Sequence, residues 1–180
     1  VIYNLTASLQ PGQLRLVVAR LGAGNDSFIA NLFNQGSGVG SDVLANASLV
    51  ISGHGGEGND ILRVNAQHDV DVAIGSALAI LMGGDSGQDQ IIAEYRGENA
   101  GSVAFNQLDG GTGNDSILGS LREDVGSTGI SSASVQGDDG DDALGLYMWT
   151  EHPPLQALLD GGAGVDTAGH TANVTVVNVP

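Results

Sequence analysis

Gly110-Gly-Thr-Gly-Asn-Asp115, followed by Ser116-Ile-Leu-Gly-Ser-Leu121, is the stretch on which the reading of this chain turns. Its first half is a run of glycines closed by an aspartate. In its second half Ile117, Gly119 and Leu121 fall on one face with the period of two that marks a strand with one buried face. The glycine–aspartate half returns five more times, as Leu21-Gly-Ala-Gly-Asn-Asp26, Gly55-Gly-Glu-Gly-Asn-Asp60, Gly84-Asp-Ser-Gly-Gln-Asp89, Gly137-Asp-Asp-Gly-Asp-Asp142 and Gly161-Gly-Ala-Gly-Val-Asp166. The fourth position is glycine in every copy (Gly24, Gly58, Gly87, Gly113, Gly140, Gly164), and the sixth is aspartate in every copy. Glycine at a fixed offset is what a backbone needs for left-handed angles, so these are turns. A turn that recurs this regularly marks a repeat architecture.

Working outward from the turns, the following residues place Phe28/Ala30/Leu32, Leu62/Val64/Ala66, Ile91/Ala93/Tyr95, Ile117/Gly119/Leu121 and Leu144/Leu146/Met148 on one face. Ser27, Asn31, Arg63, Asn65, Glu94 and Ser120 lie on the other. A second short strand precedes each turn: Leu16–Ala19, Leu49–Ile51, Leu78–Leu81, Val103–Phe105, Ala133–Val135 and Ala157–Leu159. Strand, glycine turn, strand and return loop make one coil. No coil can bury its apolar side alone, whereas a stack buries a continuous core. The expected fold is all-β: a right-handed parallel β-solenoid of six coils, forming one domain over residues 1–180 with a rod length of about 29 Å. The aspartates step by 34, 29, 26, 27 and 24 residues, so return loops such as Gln35–Ser41, Arg96–Ser102, Val125–Gly129 and Pro153-Pro154 absorb the variation. Val70-Asp-Val-Ala-Ile74 is predicted to contribute to a third face.

Composition narrows the partners. The chain has 180 residues, 41% apolar, with 29 glycines, no lysine, five arginines and 21 acids, for a formal charge of −16. Such self-repulsion opposes compaction unless something positive is bound, and it disfavours nucleic acid, which needs a basic face. Without cysteine there is neither a disulfide framework nor a thiolate zinc site. The longest apolar run, Val72–Met82, is broken by Gly75 and Ser76 and falls short of the ~20 residues of a membrane span. Val1 is not an initiator methionine, so the chain reads as a module of a longer protein.

The six turns resemble the RTX (repeats-in-toxin) family, whose nonapeptide is G-G-x-G-x-D-x-U-x with U a large apolar residue. Here the eighth position is Phe28, Leu62, Ile91, Ile117, Leu144 and Ala168. Departures are Leu21 at position one, Asp85 and Asp138 at position two, and Ala168 at position eight. The resemblance implies Ca²⁺ between neighbouring turns, with carbonyls from Gly22, Gly24, Gly56, Gly58, Gly84, Gly87, Gly111, Gly113, Gly137, Gly140, Gly162 and Gly164. It also implies carboxylates paired as Asp26–Asp60, Asp60–Asp89, Asp89–Asp115, Asp115–Asp142 and Asp142–Asp166. That donor set suits calcium, which takes six to eight oxygen ligands. Five ions would bring the formal charge of −16 to −6, an ordinary value for a soluble domain. In the family the nonapeptides run in tandem, two turns per coil. One motif per coil here predicts a single row of ions on one edge.

The implied function is a calcium-binding structural or adhesive module of a secreted or cell-surface bacterial protein, folding on Ca²⁺ binding, and not an enzyme. The alternatives are a glycan- or surface-recognition domain, or a non-catalytic module attached to a secreted polysaccharide-active enzyme or protease. Extracellular sites of this kind bind at about 10⁻⁴–10⁻³ M.

Several other motifs carry less. Gly53-His-Gly-Gly-Glu-Gly58 matches the dinucleotide fingerprint, which needs a helix next; Asn59-Asp-Ile-Leu-Arg-Val64 is strand-like. Gly84-Asp-Ser-Gly87 echoes a protease nucleophile, but Ser86 is the variable third residue of a repeat and has no partner histidine in context. His54, His68, His152 and His170 are scattered, with His170 predicted on an inward position. Tyr147 and Trp149 point outward and are expected to pack under a return loop. Asp109 and Asp160, just before their turns, read as solvated loop acids. Asn4-Leu-Thr6, Asn46-Ala-Ser48 and Asn173-Val-Thr175 match the glycosylation tripeptide.

Overall fold

The computed structural model describes residues 1–5, 7–32, 42–67 and 70–180. The 35–41 return loop, His68 and Thr6 of the first glycosylation tripeptide lie outside the described residues. The described strands run β1 (Ile2–Leu5), β2 (Leu14–Ala23), β3 (Ser27–Leu32), β4 (Ser48–Glu57), β5 (Ile61–Ala66), β6 (Ala77–Ser86), β7 (Gln90–Gly97), β8 (Ser102–Thr112), β9 (Ser116–Glu123), β10 (Ile130–Asp139), β11 (Ala143–Trp149), β12 (Gln156–Asp160), β13 (Thr167–His170) and β14 (Thr175–Val177).

They form two parallel seven-stranded sheets. The strands entering the turns are ordered β14-β12-β10-β8-β6-β4-β2, and those leaving them β1-β3-β5-β7-β9-β11-β13. The protein is thus an all-β parallel solenoid of six coils, with half a coil added at each end: β1 lies beside β3, and β14 beside β12. The entering strands are longer than the sequence suggests because pairing continues into the glycine turn, as in Gly22↔Gly56 and Gly56↔Asp85.

Register aligns equivalent repeat positions in spite of the unequal steps. Ile91 stands beside Ile117 and Ile117 beside Leu144, while Leu78 stands beside Val103. These rows fill the interior, where Tyr95, Phe28 and Phe105 are the largest fully buried side chains. Each large aliphatic side chain buried in this way contributes about 1.5–3 kcal/mol. Gly119 is an inward glycine for a packing reason: a Cβ there would press on Leu146, Leu108 and Phe105 at 3.1–3.4 Å.

The third face is a line of single bridges, Leu9↔Val43↔Val72↔Asn99. Val70 and Val72 are buried in it as predicted, whereas Ile74 is exposed. Asn99 ends the line with an amide whose Nδ2 donates to Glu123 Oε1 at 2.9 Å. Ser131 Oγ donates to the same oxygen, and the Glu151 amide donates to Glu123 Oε2, so this buried polar knot is satisfied. The prediction for His170 is corrected. It is exposed, and Ala168 is half-buried, because four-residue β13 is the edge strand of its sheet and, among the described residues, no further coil covers it.

Candidate metal centre

The turn backbone explains which repeat positions must be glycine. At position four φ runs from 117° to 149° through Gly24, Gly58, Gly87, Gly113, Gly140 and Gly164, a region closed to side chains. At position two φ runs only from 68° to 104°, nearer the left-handed basin that aspartate tolerates. Asp85 (φ 72°) and Asp138 (φ 68°) therefore stand in for Gly22, Gly56, Gly111 and Gly162. Stacking adds a second demand. A Cβ on Gly58, Gly87, Gly113, Gly140 or Gly164 would run into the position-four carbonyl of the preceding coil, while Gly22 and Gly24, with no turn before them, face open space.

The aspartates form a ladder through the turns. Asp60 Oδ1 accepts the Asp26 amide at 2.7 Å. Asp89, Asp115 and Asp142 each accept the amide of the preceding aspartate at 2.7 Å, and Asp166 accepts that of Asp142 at 2.9 Å. Asp60, Asp89, Asp115, Asp142 and Asp166 are all buried, whereas Asp26 is half-buried. Their second oxygens are not satisfied: Oδ2 of each of these five is buried with no hydrogen-bond partner. A buried carboxylate oxygen left unpaired costs a few kcal/mol.

Those oxygens face specific neighbours. A Cβ on Gly55, Gly84, Gly110, Gly137 or Gly161 would collide with Oδ2 of the aspartate of its own turn. On the same side it would meet the carbonyl oxygen of Gly84, Gly110, Gly137, Gly161 or Asn178, one coil further on. Each position-one glycine thus leaves room for a carboxylate oxygen and a carbonyl oxygen that converge without a proton between them. Every donor is oxygen, as a hard divalent cation requires. Among the described residues no three acids or histidines lie close enough together to hold a metal, so backbone carbonyls must complete any ligand set.

The electrostatics match. Burial, against the lowering hydrogen bond from the Asp60 amide, pushes Asp89 up to about 6, with the charges of Asp115, Asp60 and Asp85 adding to the rise. Burial likewise pushes Asp142 up to about 6, opposed by the Asp115 amide and reinforced by Asp115, Asp166 and Asp141. Asp115 moves in the same direction, chiefly through burial. Without a cation these positions resist ionisation.

The five aspartate pairs that the resemblance implies are neighbours across the coil boundaries, but the buried unpaired oxygens start at Asp60 and not at Asp26. Leu21 occupies the position-one place of coil one and packs against the core, and the half-buried Asp26 is not among the buried unpaired carboxylates. At the other end Asn178, left-handed at φ 50°, supplies a carbonyl beside Gly161 where a seventh turn would begin. Sequence reasoning missed Asn178, although the Thr175-Val-Val177 strand just before a residue tolerant of left-handed angles was a usable signal.

Other predicted positions fall as follows. Asp160 Oδ1 accepts the Gly162 amide and Asn178 Nδ2, so it fastens the tail and is no solvated loop acid. Asp109 is half-buried; its Oδ2 accepts Gln107 Nε2 at 2.7 Å and its Oδ1 is buried without a partner. Ser86 Oγ donates to the Gly56 carbonyl. Gly53–Gly58 lies on β4 and its turn, with strand β5 next. His54 and His152 are exposed. Trp149 is exposed and Tyr147 half-buried, and the two rings stack on each other.

Comparison of the chain with protein-family models, curated proteins and solved structures finds no match. Among the described residues no helix is long and apolar enough to cross a membrane.

Proposed function

We propose that this chain is a calcium-binding solenoid module of the RTX type, structural or adhesive in role, which completes its folding on Ca²⁺ and serves a secreted or cell-surface protein. The observation that carries this reading is the row of five buried, unpartnered Oδ2 atoms, each converging with a carbonyl of the next coil. The formal charge of −16 and the all-oxygen donor set support it. When bound, calcium supplies the positive charge that lets stacked carboxylates stay ionised.

The chain's own residues do the rest. The glycines bring successive turns into contact, the aspartate amides hold each neighbour's Oδ1, and the same carboxylates present Oδ2 to the gap. Adjacent carboxylates about 4.8 Å apart repel in the metal-free chain, so binding free energy becomes folding free energy. Millimolar extracellular calcium would then fold a chain exported in a looser state.

The test is circular dichroism of the metal-stripped chain at neutral pH. The β signal should be weak, and millimolar Ca²⁺ should restore it, with calorimetry counting the ions. An unchanged spectrum and melting temperature on stripping, with no heat on calcium addition, would refute the reading.

A further inference from the structure

Three of the five arginines, Arg63, Arg96 and Arg122, lie on strands β5, β7 and β9 of the sheet that leaves the turns. Two of them stand in direct register with the chain's only tryptophan: Arg96 pairs with Arg122, and Arg122 with Trp149, across coils three, four and five. Like charges on neighbouring strands are destabilising. In a chain with 21 acids to choose from, such a row is a cost that folding alone does not explain.

Three of the acids nearest the row are already engaged. Glu94 is held by Arg63 at 2.9 Å, and Glu123 by Asn99, Ser131 and the Glu151 amide. Arg96 makes a 3.4 Å pair with Asp124. Arg122 is exposed and has no hydrogen bond or ion pair among the described residues.

Beside this row lies an aromatic platform. Trp149 is 51% exposed and stacks on Tyr147 with ring centroids 5.8 Å apart and planes 10° from parallel. The platform is built in. Gly145 and Gly169 follow Ile92 and Leu118 in the neighbouring row, and a Cβ on either would press on the Tyr147 ring or its hydroxyl. Two glycines therefore let Tyr147 lie against the sheet, and Tyr147 holds the indole. A groove of about 350 Å³ lined by Gln67, Glu94, Arg96, Ser120, Arg122 and Trp149 runs alongside.

An exposed flat ring held rigid next to an unpaired guanidinium matches a ligand that is apolar on one face and anionic at its edge. We propose that Trp149, Arg122 and Arg96 form a binding site for an anionic pyranose, a sugar unit carrying a carboxylate or a sulfate, within an oligosaccharide lying across coils three to five. The C–H face of the ring stacks on Trp149, the anionic group meets Arg122 and Arg96, and Gln67 and Ser120 serve the hydroxyls. This site is independent of the calcium ladder.

Because Trp149 is the only tryptophan, its emission reports this site alone. The calcium-saturated chain is titrated with trigalacturonate, with a sulfated trisaccharide and with neutral cellotriose. Saturable change with one or both anionic sugars, absent for cellotriose, supports the site, and the responding sugar identifies the anion. Arg122→Gln should weaken that binding by about tenfold or more with an unchanged circular dichroism spectrum, while Arg20→Gln on the opposite sheet should not. No emission change with either anionic sugar at millimolar concentration, equal binding of cellotriose, or wild-type affinity in Arg122→Gln would overturn the proposal.

Discussion

The backbone amide of Asp89 donates to Asp115 Oδ1 at 2.7 Å across the coil boundary, while Asp115 Oδ2 is buried and unpaired. One carboxylate thus splits two jobs between its oxygens, one holding the preceding coil and the other open to a ligand.

That division can be separated by an isosteric change. Asp115→Asn keeps an oxygen for the Asp89 amide and removes the charge, so the coil stack should survive and the metal-free chain should lose repulsion. Calcium titration should show a weakened gap with β structure intact. Asp115→Ala instead strands the Asp89 amide, costing about 1–3 kcal/mol. Equal loss of structure in both variants by circular dichroism would show that Oδ1 has no separate role.

Position along the ladder should matter. Asp115→Ala removes one unpaired oxygen and loosens the interface to coil three, and solenoid stability propagates through such interfaces. Asp166→Ala should remove one ion and, by stranding the Asp142 amide, loosen only the end of the rod, at the interface of coils five and six and at β14. Asp26→Ala should leave the number of bound ions unchanged, since Leu21 stands in its turn. Asp124→Ala breaks only an exposed pair with Arg96 and should cost under about 1 kcal/mol. Calorimetric stoichiometry decides; loss of an ion in Asp26→Ala would show that the Asp26–Asp60 gap also holds one.

Acidity should stabilise the metal-free fold. Asp89 and Asp142 rise from an ordinary 3.8 to about 6 in the folded chain. Their contribution is fully present below the unfolded value and is lost as pH rises through about 6, at up to about 3 kcal/mol each. The metal-stripped chain should melt higher at pH 4 than at pH 7. With saturating calcium the order should reverse, because the ligands must be deprotonated. A flat or rising metal-free profile between pH 4 and 7 would contradict the buried, repelling ladder.

Glycines can be sorted by what a methyl group would meet. Gly12 has φ 76° with open space around it, so Gly12→Ala should cost only the left-handed strain, about 1–2 kcal/mol. At Gly113, with φ 128°, a Cβ would strike the Gly87 carbonyl. Gly113→Ala should cost several kcal/mol and lower calcium affinity as well, since it parts coils three and four. Similar melting temperatures for the two variants would argue that turn strain alone, not coil contact, explains the glycines.

The sequence by itself determined most of what is demanded residue by residue: the glycine turns, the period-two strands such as Ile117/Gly119/Leu121, the parallel stack and the stacked row of aspartates. These are local backbone and solvation requirements, and each must be written at its own position. Only the tertiary structure decided which oxygen faces which coil, that the buried unpaired oxygens begin at Asp60 and end beside the Asn178 carbonyl, and that Trp149 rests on Tyr147 in line with Arg122. Those relationships depend on register between coils, and the steps of 34 to 24 residues hide that register. The return loops take up the difference in length, so neighbours across a coil boundary bear no constant spacing in the chain.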